Sequence, residues 1–285
     1  MISDKETNTI YFSELLKTDS RFTETSKQII STLQTYGAKI KFLPDTKDIW
    51  ARDYMPIQIC KDKFIEYRYD PDYLQGNSEE IETRELKTYP DIVCDKIGLR
   101  TIKTDLIIDG GNIVKSGNAI ILTDKVVWEN ERKYSEKQLI KKLHDLFEVD
   151  KVVLIPWDEE CEYGHADGML RFVSNEKVLI SGFYEKADKE LKKWILEALD
   201  KAKIDWDWLR ISNKEVEDNI AYINFLQTKD LILVPALNRP EEDEKAVEEI
   251  SNHFPKYADR IDKVDMSEIA RYGGALNCIT WTIKE

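Results

Sequence analysis

The chain has 285 residues, 42% of them hydrophobic, with seven Trp and thirteen Tyr. That supports a sizeable core and excludes a disordered chain. The formal charge is −13 at pH 7 and no cluster of Lys or Arg builds a basic face, which excludes nucleic acid as a partner. An acidic surface suits a cationic small molecule, and equally suits plain solubility. The N-terminal "MISDKETNTIYF" lacks the basic-then-apolar pattern of a secretory signal, and no apolar run is long enough to span a membrane. The four cysteines, Cys60, Cys94, Cys161 and Cys278, form no CxxC pair. This predicts free thiols in a reducing compartment and a cytoplasmic protein.

In chain order, "TETSKQIISTLQTYG" (23–37) reads as a helix that stops at Gly37, with Ile29, Ile30, Leu33 and Tyr36 on one face. A strand (39–44), a polar loop and an alternating hairpin (56–69) turning at Lys61-Asp62-Lys63 come next. The polar stretch 70–88 reads as a solvated insertion, with a cover over the converging loops as the alternative. The order then repeats. A strand at 105–108 leads through "DGG" into a hairpin turning at Ser116-Gly117-Asn118. A helix (135–147) carries Leu139, Leu143 and Leu146 as one stripe. The strand 151–156 leads through "WDEECEYGHAD" into a hairpin turning at Ser174-Asn175-Glu176, then a helix (188–202). The strand 207–212 precedes a hairpin over 221–236. A helix (240–254) opens on Pro240 and acids, as the helix dipole favours. The strand 260–266 then leads through "YGG" into a last strand-like run opened by Cys278. Five units of roughly 55 residues predict an α/β array closing on itself like a propeller. A plain α/β domain with mixed sheets is the alternative.

The unusual polar residues fall in equivalent loops of these units. They are Trp50, Arg52 and Asp53; Asp109, Gly110, Gly111 and Asn112; Gly164, His165 and Asp167; and Gly273, Gly274 and Cys278. If the units surround a common centre, one Cys, one His and three carboxylates meet there. Each has a structural reading: an Arg52–Asp53 ion pair, a turn aspartate at Asp109, a loop-capping His165, a small core residue at Cys278. The other histidines, His144 and His253, fall in helical patterns. A zinc site from Cys161, His165, Asp167 and Cys278 is a further use of the same residues, weakened by the lack of a second finger-like pair.

Taken together, "WARDYMPI", "DGGN", "GHADGMLRF" and "GGALNCIT" resemble the agmatine deiminase and bacterial peptidylarginine deiminase family of the guanidino-group-modifying superfamily. The resemblance runs from about residue 40 to the C-terminus. It implies the pentein fold, a pseudo-five-fold α/β propeller of repeated ββαβ-like units, as a single catalytic domain over 1–285. It implies Cys278 as nucleophile, His165 as general acid/base and Asp109 as partner of the histidine and substrate. Asp53 and Asp167 match the carboxylates that grip a guanidinium. Trp50, Arg52, Gly274 and Asn224 are expected to contact substrate, with the segment 215–225 helping to close the site. The implied reaction is hydrolytic deimination of an agmatine-like guanidino compound to a ureido product and ammonia, without metal or cofactor. Peptidyl-arginine or free arginine as substrate, amidinotransfer, and guanidine binding without turnover remain open, as does a homo-oligomeric state. The chain departs from the agmatine deiminase pattern in three ways. Asp109 stands where Glu is usual, Asn277 stands where His is usual, and the chain is short.

Overall fold

The structure, a computed structural model, describes residues 1–75, 84–186, 188–211 and 219–285. Fifteen strands among them form five three-stranded sheets of one design. In each, two strands pair as an antiparallel hairpin and a third returns parallel to the second, as a helical crossover requires. β3 (Ile57–Cys60) and β4 (Lys63–Arg68) take β5 (Ile102–Ile107); β6 (Val114–Lys115) and β7 (Ala119–Thr123) take β8 (Lys151–Ile155). β9 (Leu170–Ser174) and β10 (Lys177–Ser181) take β11 (Asp205–Leu209); β12 (Leu226–Gln227) and β13 (Ile232–Ala236) take β14 (Ile261–Asp265). The fifth sheet joins the two chain ends. β15 (Trp281–Ile283) pairs antiparallel with β1 (Thr9–Ser13), which runs parallel to β2 (Lys39–Leu43).

The expected units are therefore present but out of phase. The strand before each polar loop belongs to the preceding sheet, and the loop is the passage from one sheet to the next. Residues 9–13, not assigned to a strand by pattern, complete the fifth sheet. Two local expectations also change. Residues 221–223 are helical, within Asn219–Ile223, so that hairpin begins only at Leu226. Cys278 lies in a turn over 276–279, three residues before β15, not on a strand.

The crossover helices follow their apolar stripes. Glu136–Phe147 is opened by a Ser135/Gln138 capping box and buries Leu139, Leu143 and Phe147, with Leu146 only partly covered. Lys189–Lys201 is capped by Asp188, and Pro240–His253 starts on its proline. Thr23–Thr35 buries Ile29 and Leu33, and the chain leaves it through Gly37 at φ +67°. The sheets are held together side to side by core. One apolar cluster runs from Leu43 and Trp281 through Ile65 and Leu106 to Ile120 and Leu143. Trp281 also donates its indole N–H to the Pro56 carbonyl at 2.8 Å, tying the C-terminus to the start of β3. Among the described residues, no helix is long and apolar enough to cross a membrane.

Candidate active site

Each inter-sheet loop leaves the end of a parallel strand and ends at the centre of the ring. β2 delivers Trp50 and the helical turn Ala51–Tyr54 with Asp53; β5 delivers Asp109 and the turn Gly110–Asn112. β8 delivers His165 and the turn Ala166–Gly168 with Asp167; the Asn219–Ile223 helix delivers Asn224; β14 leads to Gly273, Gly274 and Cys278. Asp53, His165, Asp167, Asn224, Gly274 and Cys278 line one cleft of about 950 Å³, together with Trp50.

Close packing of these loops sets the geometry. Asp53 accepts the Gly111 N–H at 3.0 Å. A Cβ on Gly111 would lie 2.6 Å from both Asp53 Oδ1 and His165 Nδ1, so only glycine lets the second loop approach the first and third. The Gly273-Gly274 turn works likewise: Gly273 has φ +87°, and a Cβ on Gly274 would meet Trp50 at 2.5 Å. Asn112 Oδ1 accepts from the Thr123 N–H at 2.8 Å and the Ala166 N–H at 3.3 Å, holding the third loop to β7.

His165 sits between two carboxylates, with Nε2 3.0 Å from Asp109 Oδ2 and Nδ1 3.7 Å from Asp53 Oδ1. Across the cleft, Cys278 Sγ is 3.7 Å from Asp167 Oδ2. The Cys278 N–H donates to Asn224 Oδ1 at 3.2 Å. Asn277 donates its amide to Asp167 Oδ2 at 2.6 Å, so Asn in place of the usual His fixes a carboxylate directly.

Burial and like charge shift these groups strongly. Burial pushes Asp53 up to about 8, with Asp167, Asp109 and Asp48 adding to it against the opposing pull of His165. Burial works against a charged His165, but Asp53, Asp109 and Asp167 together outweigh it and raise its pKa to about 9. Burial, then Asp167 and Asp53, hold the Cys278 thiol well above its ordinary value. These surroundings favour a thiol at Cys278 and an imidazolium at His165.

Arg52, expected to touch substrate, does not line the cleft. It is buried beneath it, donating Nε to the Asn277 carbonyl at 3.3 Å, and it makes no ion pair with Asp53. It lines a small chamber of about 20 Å³ whose roof is Asp167 and Asn277. There Asp4 pairs with Lys115 and with Arg171, each at 2.8 Å. Burial opposes the Asp4 charge, but Lys115, Arg171 and Arg52 hold its carboxyl well below the usual range.

Pattern reading missed Tyr73. It lies in the stretch 70–88 read as a solvated insertion, of which 76–83 fall outside the described residues. Its hydroxyl donates to Asp109 Oδ2 at 3.3 Å and its ring stands edge-on to Tyr163 at 5.1 Å. The neighbouring Asp72 pairs with the buried Lys125 at 2.8 Å. The available signal was Tyr73 and Leu74 in "DYL", two apolar side chains inside a polar run. Of the expected closing segment 215–225, residues 215–218 lie outside the described residues. Cys161 lines the cleft, but among the described residues no group of three His, Cys, Asp or Glu is arranged to hold a metal.

The family model of the Porphyromonas-type peptidyl-arginine deiminases matches residues 2–283. A Mycoplasma capricolum subsp. capricolum protein named "Putative agmatine deiminase" is 24% identical, over 66% of this chain and 60% of that protein. The match thus spans about 60% of the length of this curated relative. Agmatine deiminase of Enterococcus faecalis superposes with a TM-score of 0.76 at 18% identity, covering all of this chain and 95% of that one. The C. jejuni agmatine deiminase gives 0.74 at 18%, also over 100% and 95%. A Pseudomonas aeruginosa DDAH in complex with citrulline gives 0.57 at 15%, over 97% and 99%. Five like sheets, five converging loops and the family match agree: the chain belongs to the Porphyromonas-type peptidyl-arginine deiminase family.

Proposed function

We propose that this chain is a guanidine hydrolase that deiminates an agmatine-like substrate at a C–N bond of its linear amidine, releasing ammonia and a ureido product. One observation carries the reading. A thiol, an imidazolium with its own carboxylate, and two further carboxylates meet at one buried end of the cleft, where three acids face a single imidazole. A guanidinium is planar, always charged and rich in N–H donors, and it is the cation such a cleft fits. A C. jejuni agmatine deiminase variant with Cys changed to Ser was solved with substrate bound, which supports the same use of the cleft here.

In this mechanism Asp53 and Asp167 accept the guanidinium N–H groups and set its central carbon against Cys278 Sγ. The incoming cation offsets the charges that hold the thiol protonated, and the thiol proton leaves the site. The thiolate attacks the carbon, forming a C–S bond and a tetrahedral centre. His165 gives its proton to the leaving nitrogen, the C–N bond breaks and ammonia departs. Water then adds to the S-linked thiouronium carbon and gives a proton to His165. The C–S bond breaks as the new hydroxyl becomes the C=O, its proton passes to the sulfur to restore the thiol, and the ureido product leaves. Asp109 fixes the ring of His165 and stabilises its protonated form. The whole chain serves as one catalytic domain, in a cytoplasm that keeps its four free cysteines reduced.

The test is ammonia release from agmatine, free arginine, methylated arginines and an arginine peptide, with Cys278→Ala as control. Release that vanishes in Cys278→Ala is expected, with agmatine the best substrate. Release persisting in that variant sinks the mechanism. Release only when an amine acceptor is added turns the reading to amidinotransfer.

A further inference from the structure

We propose that Lys125 is a positioning residue of the catalytic centre: its one buried ammonium fixes both the His165 loop and Tyr73 about the carboxylate of Asp109. This rests on the deiminase reading of His165 and Asp109. Lys125 does not line the cleft, and its side chain is 1% exposed. Its Nζ pairs with Asp72 Oδ1 at 2.8 Å and donates to the Tyr163 carbonyl at 2.9 Å. The rings of Tyr73 and Trp157 flank it, each centroid 5.4 Å away.

Both polar partners stand beside the reacting groups. Asp72 precedes Tyr73, whose hydroxyl donates to Asp109 Oδ2, and the same oxygen faces His165 Nε2. Tyr163 lies two residues before His165. The Gly164 carbonyl between them accepts the Thr123 hydroxyl at 2.7 Å, so the backbone entering His165 is held at two consecutive carbonyls. Gly164 has φ +61°, and a Cβ there would lie 3.2 Å from Lys125 Cδ, so the lysine stem packs against the bend that precedes His165. Stability alone gives a poor reason for this cation. Lys125 opens the short helix Lys125–Asn130, the end at which the helix dipole opposes positive charge. Replacing a buried ion pair by apolar side chains of similar volume is often neutral. Nor is the local acid used. Glu129, one turn along the same helix, feels the Lys125 charge, yet its Oε1 has no hydrogen-bond partner among the described residues. The ion pair goes instead to Asp72 on a separate segment. What the ammonium secures is geometry, because it joins two segments that must meet at one oxygen of Asp109.

The experiment measures kcat and KM for ammonia release from agmatine, with a melting curve for each protein. The proteins are the unaltered chain, Lys125→Met, Asp72→Asn, Tyr73→Phe and the Asp72→Asn/Tyr73→Phe double variant. Lys125→Met is expected to lower kcat about 10- to 100-fold with KM within about threefold, because it misplaces groups that act on the reacting atoms and leaves the cleft wall unchanged. Asp72 is 37% exposed and is hydrated once released. Asp72→Asn should therefore spare the fold and lower kcat about two- to fivefold, as expected for Tyr73→Phe. The double variant should be no worse than the poorer single one. Unaltered kcat in Lys125→Met at a lower Tm overturns the inference, since Lys125 then only holds the fold. A loss carried by KM, unaltered kcat in Asp72→Asn, or losses at Asp72 and Tyr73 that multiply also overturn it. If Lys125→Met does not fold, the three Asp72 and Tyr73 variants decide by themselves. If the unaltered chain releases no ammonia from any guanidine, the deiminase reading falls and the imidazole NMR signals of His165 decide instead. A shift of those signals in Asp72→Asn supports the placement, and unmoved signals overturn it.

Discussion

Above Asp167 and Asn277 lies the open cleft; below them lies the small chamber with Arg52, Lys115 and Arg171. Both regions bury several charges, and they treat them differently. In the chamber Asp4 is matched by Lys115 and Arg171, and Lys115 also donates to the Ile2 carbonyl at 2.9 Å. At the cleft Asp53, Asp109 and Asp167 face a single imidazole; burial raises Asp53, and the three carboxylates together raise His165. The contrast separates charge that holds the fold from charge kept for a ligand. A paired buried ion is costly to break, while an unmatched one binds a proton until a better cation arrives.

The comparison can be broken from either side. Asp167→Asn should lower kcat/KM by about 10³-fold, since it leaves the guanidinium half-unpaired and loosens Asn277 and Cys278, while stability changes little. Steady-state kinetics with a melting curve checks both halves. Asp4→Asn should do the reverse. It leaves Lys115, Arg171 and Arg52 without their shared anion and costs about 3 kcal/mol of stability, seen as a Tm fall of several degrees. Guanidine affinity in the remaining folded protein should stay within about threefold. A stable Asp4→Asn protein with ruined affinity would show that the chamber belongs to the site.

Titration sharpens the contrast further. Asp53 must lose its proton to accept a guanidinium, so kcat/KM should rise with pH up to about 8. His165 must hold its proton to release ammonia, so kcat/KM should fall above about 9. These limbs belong to the coupled set of groups rather than to either residue alone. A flat profile down to pH 6 would count against the raised Asp53. Asp109→Asn should bring the alkaline limb down, because His165 loses an anion that supports its charge. The smallest effect is expected from Tyr73→Phe: a loss of about two- to fivefold in kcat, the cost of one hydrogen bond. Its alkaline limb should move slightly up, as Asp109 then serves His165 alone. An unmoved limb would reduce Tyr73 to packing against Tyr163.

How much of this was written in the sequence follows from how local each cause is. Helix 136–147 carries its own cap and stripe, and the hairpin at 56–69 its own turn, so both were legible. The four motif loops were legible too, because glycine, histidine, cysteine and acid recur in one slot of a repeat. The phase of the repeat was not, since which sheet a strand joins depends on partners far along the chain. β1 shows this best: "TIYFS" becomes a strand because β15 and β2 flank it, from the far end of the chain and from beyond a helix.

Within the site, sequence determined which residue types could meet, and tertiary structure decided which face the ligand. Arg52 and Asp53 are neighbours in the chain, yet one lies under the floor and the other lines the cleft. A tight helical turn points adjacent side chains apart, and only the packing of the other loops says which direction is the inside. Tyr73 was unreadable for the same reason. For Tyr73 the significance is what it opposes, Asp109 across 36 residues of chain. Residue chemistry is carried by the chain, but burial and the distance between charges exist only once the ring has closed.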